Sequence, residues 1–191
     1  MASERGNLLV GEVADLADPD HLGRVRVKFP ELGGVLSDWA PLVTLMAGPK
    51  RGTLFRPEPG DEVLVGFLQG DMRAPYVLGG VWNKPEPPPP DDGDQAKNNW
   101  RSITSRSGHV LRFDDTGGAE KIEIIDSAGQ RRVVLDKRKI TVSADTGDVE
   151  VSAPSGSITL SAKDITVHAT GSLALNGDTG VKVAGLTVDI N

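Results

Sequence analysis

The chain has 191 residues, and its 21 basic and 27 acidic side chains give a formal net charge of −6, which opposes non-specific nucleic-acid binding as a main role. It contains no cysteine, which excludes disulfides, cysteine-ligated zinc, iron–sulfur clusters and thiol catalysis. Aromatic residues number only eight while Gly and Pro together supply 36, a composition that argues against a helical bundle and for an all-β chain with many turns.

Met1 to Asp20 carries only Leu8-Leu9-Val10 as an apolar run, too short for a signal peptide, so the chain is expected to be made in the cytoplasm without one. No stretch approaches the roughly 20 apolar residues of a membrane span. The segment Arg24-Val25-Arg26-Val27-Lys28-Phe29 alternates strictly, which puts Val25, Val27 and Phe29 on one face and the basic side chains on the other. Pro30 ends that strand. Glu58-Pro59-Gly60-Asp61 is turn chemistry feeding Glu62 to Leu68, a run apolar on both faces as a central barrel strand would be. After a Gly70-Asp71 turn, Pro75 to Trp82 reads as the closing strand. Five or six short strands without a helix predict a small closed or nearly closed barrel of the OB type, as a domain over 1–83.

Residues 84–97 read as a linker, because Pro85 and Pro87 to Pro90 cannot join a ladder and favour extended polyproline II. A neck of short strands follows over 98–139, with turns at Thr116-Gly117-Gly118 and Ser127-Ala128-Gly129. From 140 to 191 a repeat emerges. Apolar residues at Ile140, Val149, Ile158, Ile165, Leu173 and Val181 are each followed two positions later by Val142, Val151, Leu160, Val167, Leu175 and Val183. The intervals are 9, 9, 7, 8 and 8 residues, and a last repeat holds Leu186, Val188 and Ile190 before the terminal Asn191. Small residues often take the next alternate place, as Ala144, Ala153, Ala162, Ala169 and Gly177 do, and no aromatic residue occurs after Phe113.

A five-residue strand with one apolar face cannot bury that face alone. With a turn about every eight residues, each repeat supplies one wall of a narrow prism, and three walls close a cross-section. Either one chain winds three repeats per coil, or three chains each supply a wall. Seven repeats make just over two coils of a single chain, short for an uncapped solenoid. Three intertwined chains make a continuous rod that hides most strand edges, and this closure is the favoured one. The twelve residues Ile140, Val142, Val149, Val151, Ile158, Leu160, Ile165, Val167, Leu173, Leu175, Val181 and Val183 would then form the trimer core. Outward positions such as Thr141, Glu150, Thr166, His168 and Lys182 are polar.

Catalytic, cofactor-binding and metal-ligating residues are all expected to be absent. Arg24, Arg26 and Lys28 form a basic stripe without the interleaved aromatics of a single-strand binder, so a solvated face or protein contact is the better reading. His109 has only Asp114 and Asp115 as nearby acids, in the next turn. His168 stands alone and faces outward by parity. Glu58, Asp61 and Glu62 belong to a turn at a strand mouth, and Asp91, Asp92 and Asp94 are linker charges without a fixed geometry. No nucleophile–base motif or Gly-rich phosphate loop is present.

Several motifs in series resemble one family. Asp18-Pro19 followed by Gly23 to Pro30 resembles the first OB motif of the spike proteins of contractile injection machines. Pro59 to Phe67, Gly70-Asp71 and Pro75 to Gly79 resemble the second. Ser105 to His109, Asp114-Asp115-Thr116 and Glu120-Lys121-Ile122 are similar to the neck that enters the β-prism. The chain resembles phage baseplate assembly protein V and the VgrG class over nearly its whole length. The resemblance implies a homotrimeric central spike, not an enzyme, that pierces an envelope mechanically and touches the target membrane only transiently. It also implies a trimeric hub or tube-initiator protein at the OB end, as a separate polypeptide because only a few residues precede the barrel. A PAAR-type tip protein would sit on the blunt end formed by Leu186, Val188, Ile190 and Asn191. The place where some phage spikes carry a lysozyme domain holds only the Pro-rich linker here. The competing expectation is an OB-fold binding adaptor for polysaccharide or nucleic acid, with a monomeric β-solenoid as spacer.

Overall fold

The structure, a computed structural model, describes residues 8–94 and 96–189. The described chain is all-β, with two single 3-10 turns at Pro30–Leu32 and Leu68–Gly70. The first sheet contains β1 (Leu8–Asp15), β2 (Arg26–Phe29), β3 (Val35–Leu36), β6 (Glu62–Phe67) and β7 (Pro75–Gly80) in the order β3-β2-β1-β6-β7, with antiparallel neighbours throughout. A short hairpin arm, β4 (Ala47–Gly48) and β5 (Arg51–Gly52), projects from it.

The alternation of residues 24 to 29 translates directly into packing. Val25, Val27 and Phe29 are buried, and they meet Val63, Val65, Phe67, Val77, Val13 and Ala40 in one core. The Phe29 and Phe67 rings lie 5.8 Å apart in a tilted pair, a geometry that suits the aromatic quadrupoles. Strand β6 is the sheet's central partner to β1 and β7, yet only its Val63, Val65 and Phe67 face is buried; the Leu64 and Gly66 face is half-open.

The most central strand, β1, is the one that sequence alternation does not reveal. Its position opposite Phe29 is occupied by Gly11, which interrupts the apolar pattern. Only glycine fits there: a Cβ would sit 2.5 Å from Val27 Cγ1 and 2.9 Å from both the Lys28 carbonyl oxygen and Phe29 Cδ1. The sheet does not close on itself strand to strand. Its two sides are stitched by residues 40–43 instead. Val25 and Ala40 exchange backbone bonds of 3.0 and 2.8 Å, the Val77 N–H donates to the Pro41 carbonyl at 2.9 Å, and the Val43 N–H donates to the Val77 carbonyl at 2.8 Å.

No strand is formed between Gly80 and Trp100 among the described residues. A second sheet follows as a simple meander: β8 (Trp100–Thr104), β9 (Val110–Asp114), β10 (Lys121–Ile125), β11 (Arg131–Asp136) and β12 (Ile140–Ala144). The first apolar pair of the repeat, Ile140 and Val142, therefore lies on the last strand of this meander. Beyond Ala144 the described residues 145–189 form no strand within the single chain.

Candidate assembly surfaces

The second sheet has two unlike faces, generated by the period of two along each strand. Cross-strand pairing lines up Ile103, Leu111, Ile124, Val133 and Val142 in one row, and Phe113, Ile122, Leu135 and Ile140 in the next. All nine share one face, with Arg101 at the end of the second row beside Phe113 and Arg131 paired with Ala144 beyond the first. The opposite face carries Ser102, Arg112, Glu123, Val134 and Thr141 in one row, with Trp100, Asp114, Lys121 and Asp136 on one side of it and Thr104, Val110, Ile125, Arg132 and Ser143 on the other.

On that second face the charges satisfy one another. The Arg112 guanidinium stacks 3.9 Å from the centre of the Trp100 ring, and its Nε donates to Glu123 Oε2 at 2.8 Å. Lys121 Nζ lies 3.0 Å from Glu123 Oε1 and 3.9 Å from Asp114 Oδ2. Burial works to raise the Glu123 carboxyl, but the bonds from Arg112 and Lys121 prevail and hold it below its ordinary value. Asp114 is likewise lowered against burial, by Thr116 first and then by Trp100 and Lys121. Glu123 and Asp114 are each only 6 % exposed.

The apolar face is the open one. Ile103, Phe113, Ile124, Ile140 and Val142 range from 46 to 71 % exposed. Several of them line a hollow of about 640 Å³ that Val149 also enters. The ion-paired face is thus the more shielded of the two, and the face rich in Ile, Leu, Val and Phe is the more exposed, the kind of surface that marks interaction sites. The pattern continues into the repeat: Val149, Val151, Ile158, Leu160, Ile165, Val167, Leu173, Leu175, Val181 and Val183 are all more than half exposed in the single chain. Leu186 and Val188 are exposed as well, while Ile190 and Asn191 lie outside the described residues.

The remaining sequence candidates fall into local roles. Arg24 binds Asp18 and Asp20 at 2.6 and 2.5 Å, and Arg26 Nε donates to the Ser37 carbonyl at 3.0 Å while its guanidinium lies 5.9 Å from the Trp39 ring centre. Two of the three cations in the basic stripe are thus engaged by their own chain; Lys28 is exposed. His109 Nδ1 accepts a bond from the Ser127 N–H at 3.2 Å, linking two turns. The Asp61 carboxylate accepts the Glu58 N–H at 2.7 Å, which closes the turn before β6. The linker acids do have a fixed geometry. Asp91 and Asp92 accept the N–H groups of Gly93 and Asp94 at 2.8 and 3.1 Å, Asp92 accepts from Asn99 Nδ2 at 2.7 Å, and Asp94 meets Lys97 at 3.0 Å. Short Asx-type turns impose that order even in a Pro-rich stretch. Among the described residues no three His, Asp or Glu side chains converge as a metal site.

The apolar face of the second sheet was not singled out from sequence. Its signal was present in the alternation of Lys121 to Ile125, but which face meets solvent depends on the ion pairs opposite.

Comparison with known proteins bears on these surfaces. Residues 9–82 match the family described as the type VI secretion system/phage-baseplate injector OB domain. The chain is 27 % identical over 146 residues to the type VI secretion system spike protein VgrG1a of Pseudomonas aeruginosa, covering 71 % of this chain and 23 % of that protein. It is 31 % identical over 138 residues to VgrG4b of the same organism, covering 68 % of this chain and 17 % of the relative. The chain thus spans about a fifth of the length of those two proteins. With the spike protein of Escherichia phage P2 it shares 27 % identity over 170 residues, 81 % of this chain and 76 % of that protein. Residues 9–82 are thus an injector OB domain, and the all-β chain that carries it resembles the VgrG and phage spike proteins over most of its length.

Proposed function

We propose that this chain is the homotrimeric central spike at the tip of a contractile tail or injection machine. Its OB domain, 1–83, sits on a trimeric hub or tube-initiator protein. The linker, 84–97, and the neck, 98–139, lead into a three-chain β-prism over 140–191. A PAAR-type tip protein covers the end at Leu186, Val188, Ile190 and Asn191. The particle is tail-like, and the work is mechanical: sheath contraction drives a stiff rod through an envelope, with transient membrane contact, no catalysis, no cofactor and no stable nucleic-acid partner.

The observation that supports this reading most is the exposure, in one chain, of the apolar residues of the second sheet and of every apolar pair of the repeat. Each such side chain contributes on the order of 1.5–3 kcal/mol when removed from water. A dry axis with backbone ladders along the shaft resists buckling.

Light scattering behind size exclusion tests it. The chain of 20.2 kDa is expected at about three times its own mass, unchanged on dilution, and a chain ending at residue 139 is expected to lose the trimer. A monomeric full-length chain would overturn the spike and favour the adaptor with a self-closed solenoid.

A further inference from the structure

We propose that Asn176-Gly177 is a modification site, at which the chain converts its own side-chain amide into a carboxyl group. The reaction needs one chain and water only, so it stands apart from the assembly proposed above.

The Gly177 backbone nitrogen attacks Asn176 Cγ and forms an N–Cγ bond. The Cγ–Nδ2 bond breaks, and ammonia leaves with the proton of the Gly177 N–H. The product is a five-membered succinimide. Water then opens the ring on one side or the other. Breaking the N–Cγ bond returns an ordinary aspartate. Breaking the bond from that nitrogen to the main-chain carbonyl carbon leaves isoaspartate, with the backbone rerouted through Cγ. In sum an amide and a water become an acid and ammonia, without oxidant or reductant.

Three observations place the reaction at this asparagine. The first is the residue that follows it. A side chain on that residue crowds the attacking nitrogen, and glycine has none. Of the chain's six asparagines only Asn176 precedes Gly: Asn7, Asn83, Asn98 and Asn99 precede Leu, Lys, Asn and Trp, and Asn191 is the last residue.

The second is freedom of the amide. Asn83 Oδ1 accepts the Glu86 N–H at 2.8 Å, and Asn99 Nδ2 donates to Asp92 Oδ2 at 2.7 Å, so both of those side chains are held in place. Asn176 is exposed. Among the described residues neither its side-chain amide nor the Gly177 N–H enters a hydrogen bond.

The third is that the turn itself demands the glycine. The Gly177 carbonyl accepts the Gly180 N–H at 3.2 Å, and a Cβ on Gly177 would press on the Gly180 carbonyl oxygen. Four other repeats carry Ala at the matching place, Ala144, Ala153, Ala162 and Ala169, and three carry Ser where Asn176 stands, Ser143, Ser152 and Ser161. The tight turn that replaces Ala by Gly thus supplies the bare nitrogen, beside the one repeat position that holds an amide.

The purified full-length chain is incubated at mildly alkaline pH, digested with trypsin and mapped by mass spectrometry, beside the same chain unfolded in urea. The peptide from Asp164 to Lys182 is expected to lose its amide in the folded chain at close to the rate in urea. It is also expected to become a substrate for a protein-isoaspartate methyltransferase. The peptides holding Asn83, Asn98 and Asn99 are expected to stay intact, and Asn176→Ser, which restores the residue of three other repeats, to lose both signals. A peptide that converts in urea yet stays intact in the folded chain would overturn the proposal, because the fold would then shield the amide. Earlier conversion at Asn83, Asn98 or Asn99 would overturn it as well. Neither outcome touches the spike reading, which the mass of the chain decides.

Discussion

Asp18 shows how one side chain shapes the barrel's entry. It is 5 % exposed and accepts the backbone N–H groups of Asp20, Leu22 and Arg24 while holding the Arg24 guanidinium. The Arg24 side chain, ahead of the opposing effect of burial and with the backbone donors adding to it, keeps the Asp18 carboxyl well below the ordinary carboxylate range. A lowered native value means that this carboxylate's contribution is complete above the unfolded-state pKa of about 3.9 and fades as pH falls through the native one. Asp18→Asn is therefore expected to melt at a lower temperature than wild type at pH 7, with the gap narrowing below pH 4. Calorimetry across that range checks it, and a pH-independent gap would mean that Asp18 acts by shape alone.

At the scale of elements, the repeat strands must choose a face. Val167 alternates with Thr166 and His168, and in the proposed prism Val167 would point to the axis and Thr166 to solvent. Val167→Asp would bring three carboxylates together in a dry core, and burying unpaired charge costs several kcal/mol per ion. It is expected to abolish the trimer, whereas Thr166→Asp leaves it intact. Size exclusion with light scattering distinguishes them, and trimers from both variants would mean that the register is shifted by one residue. The second sheet faces the same choice. Arg112, Lys121, Glu123 and Asp114 close one face with ion pairs, which leaves Ile103, Leu111, Ile124, Val133 and Val142 to find cover elsewhere.

For the whole molecule, two kinds of core give two kinds of stability. The barrel core around Phe29, Val27, Val63 and Val65 is complete within one chain, so its unfolding is expected to be independent of protein concentration. In the proposed spike the rod core forms only between chains, so its melting temperature is expected to rise with concentration by mass action. Scanning calorimetry over a hundredfold range of concentration should resolve one fixed and one moving transition. Two fixed transitions would count against a core shared between copies.

Period-two patterning, Gly/Pro content and the short repeat determined by themselves that this chain is all-β, that Val25, Val27 and Phe29 turn inward, and that residues after Ile140 cannot bury their apolar side chains one strand at a time. Those properties are local, because alternation assigns faces wherever a strand forms. Tertiary structure alone decided what each face meets. Gly11 hid the central strand β1, since its missing side chain is explained only by Val27 and Phe29 on the neighbouring strand. The stitch at residues 40–43 depends on Val25 and Val77, far apart in sequence and adjacent in space. The basic stripe looked free until Asp18, Asp20 and Ser37 were brought to Arg24 and Arg26. Hydrogen-bond partners and ion pairs join residues that sequence periodicity does not connect, and those partners decide which surfaces stay open in the single chain.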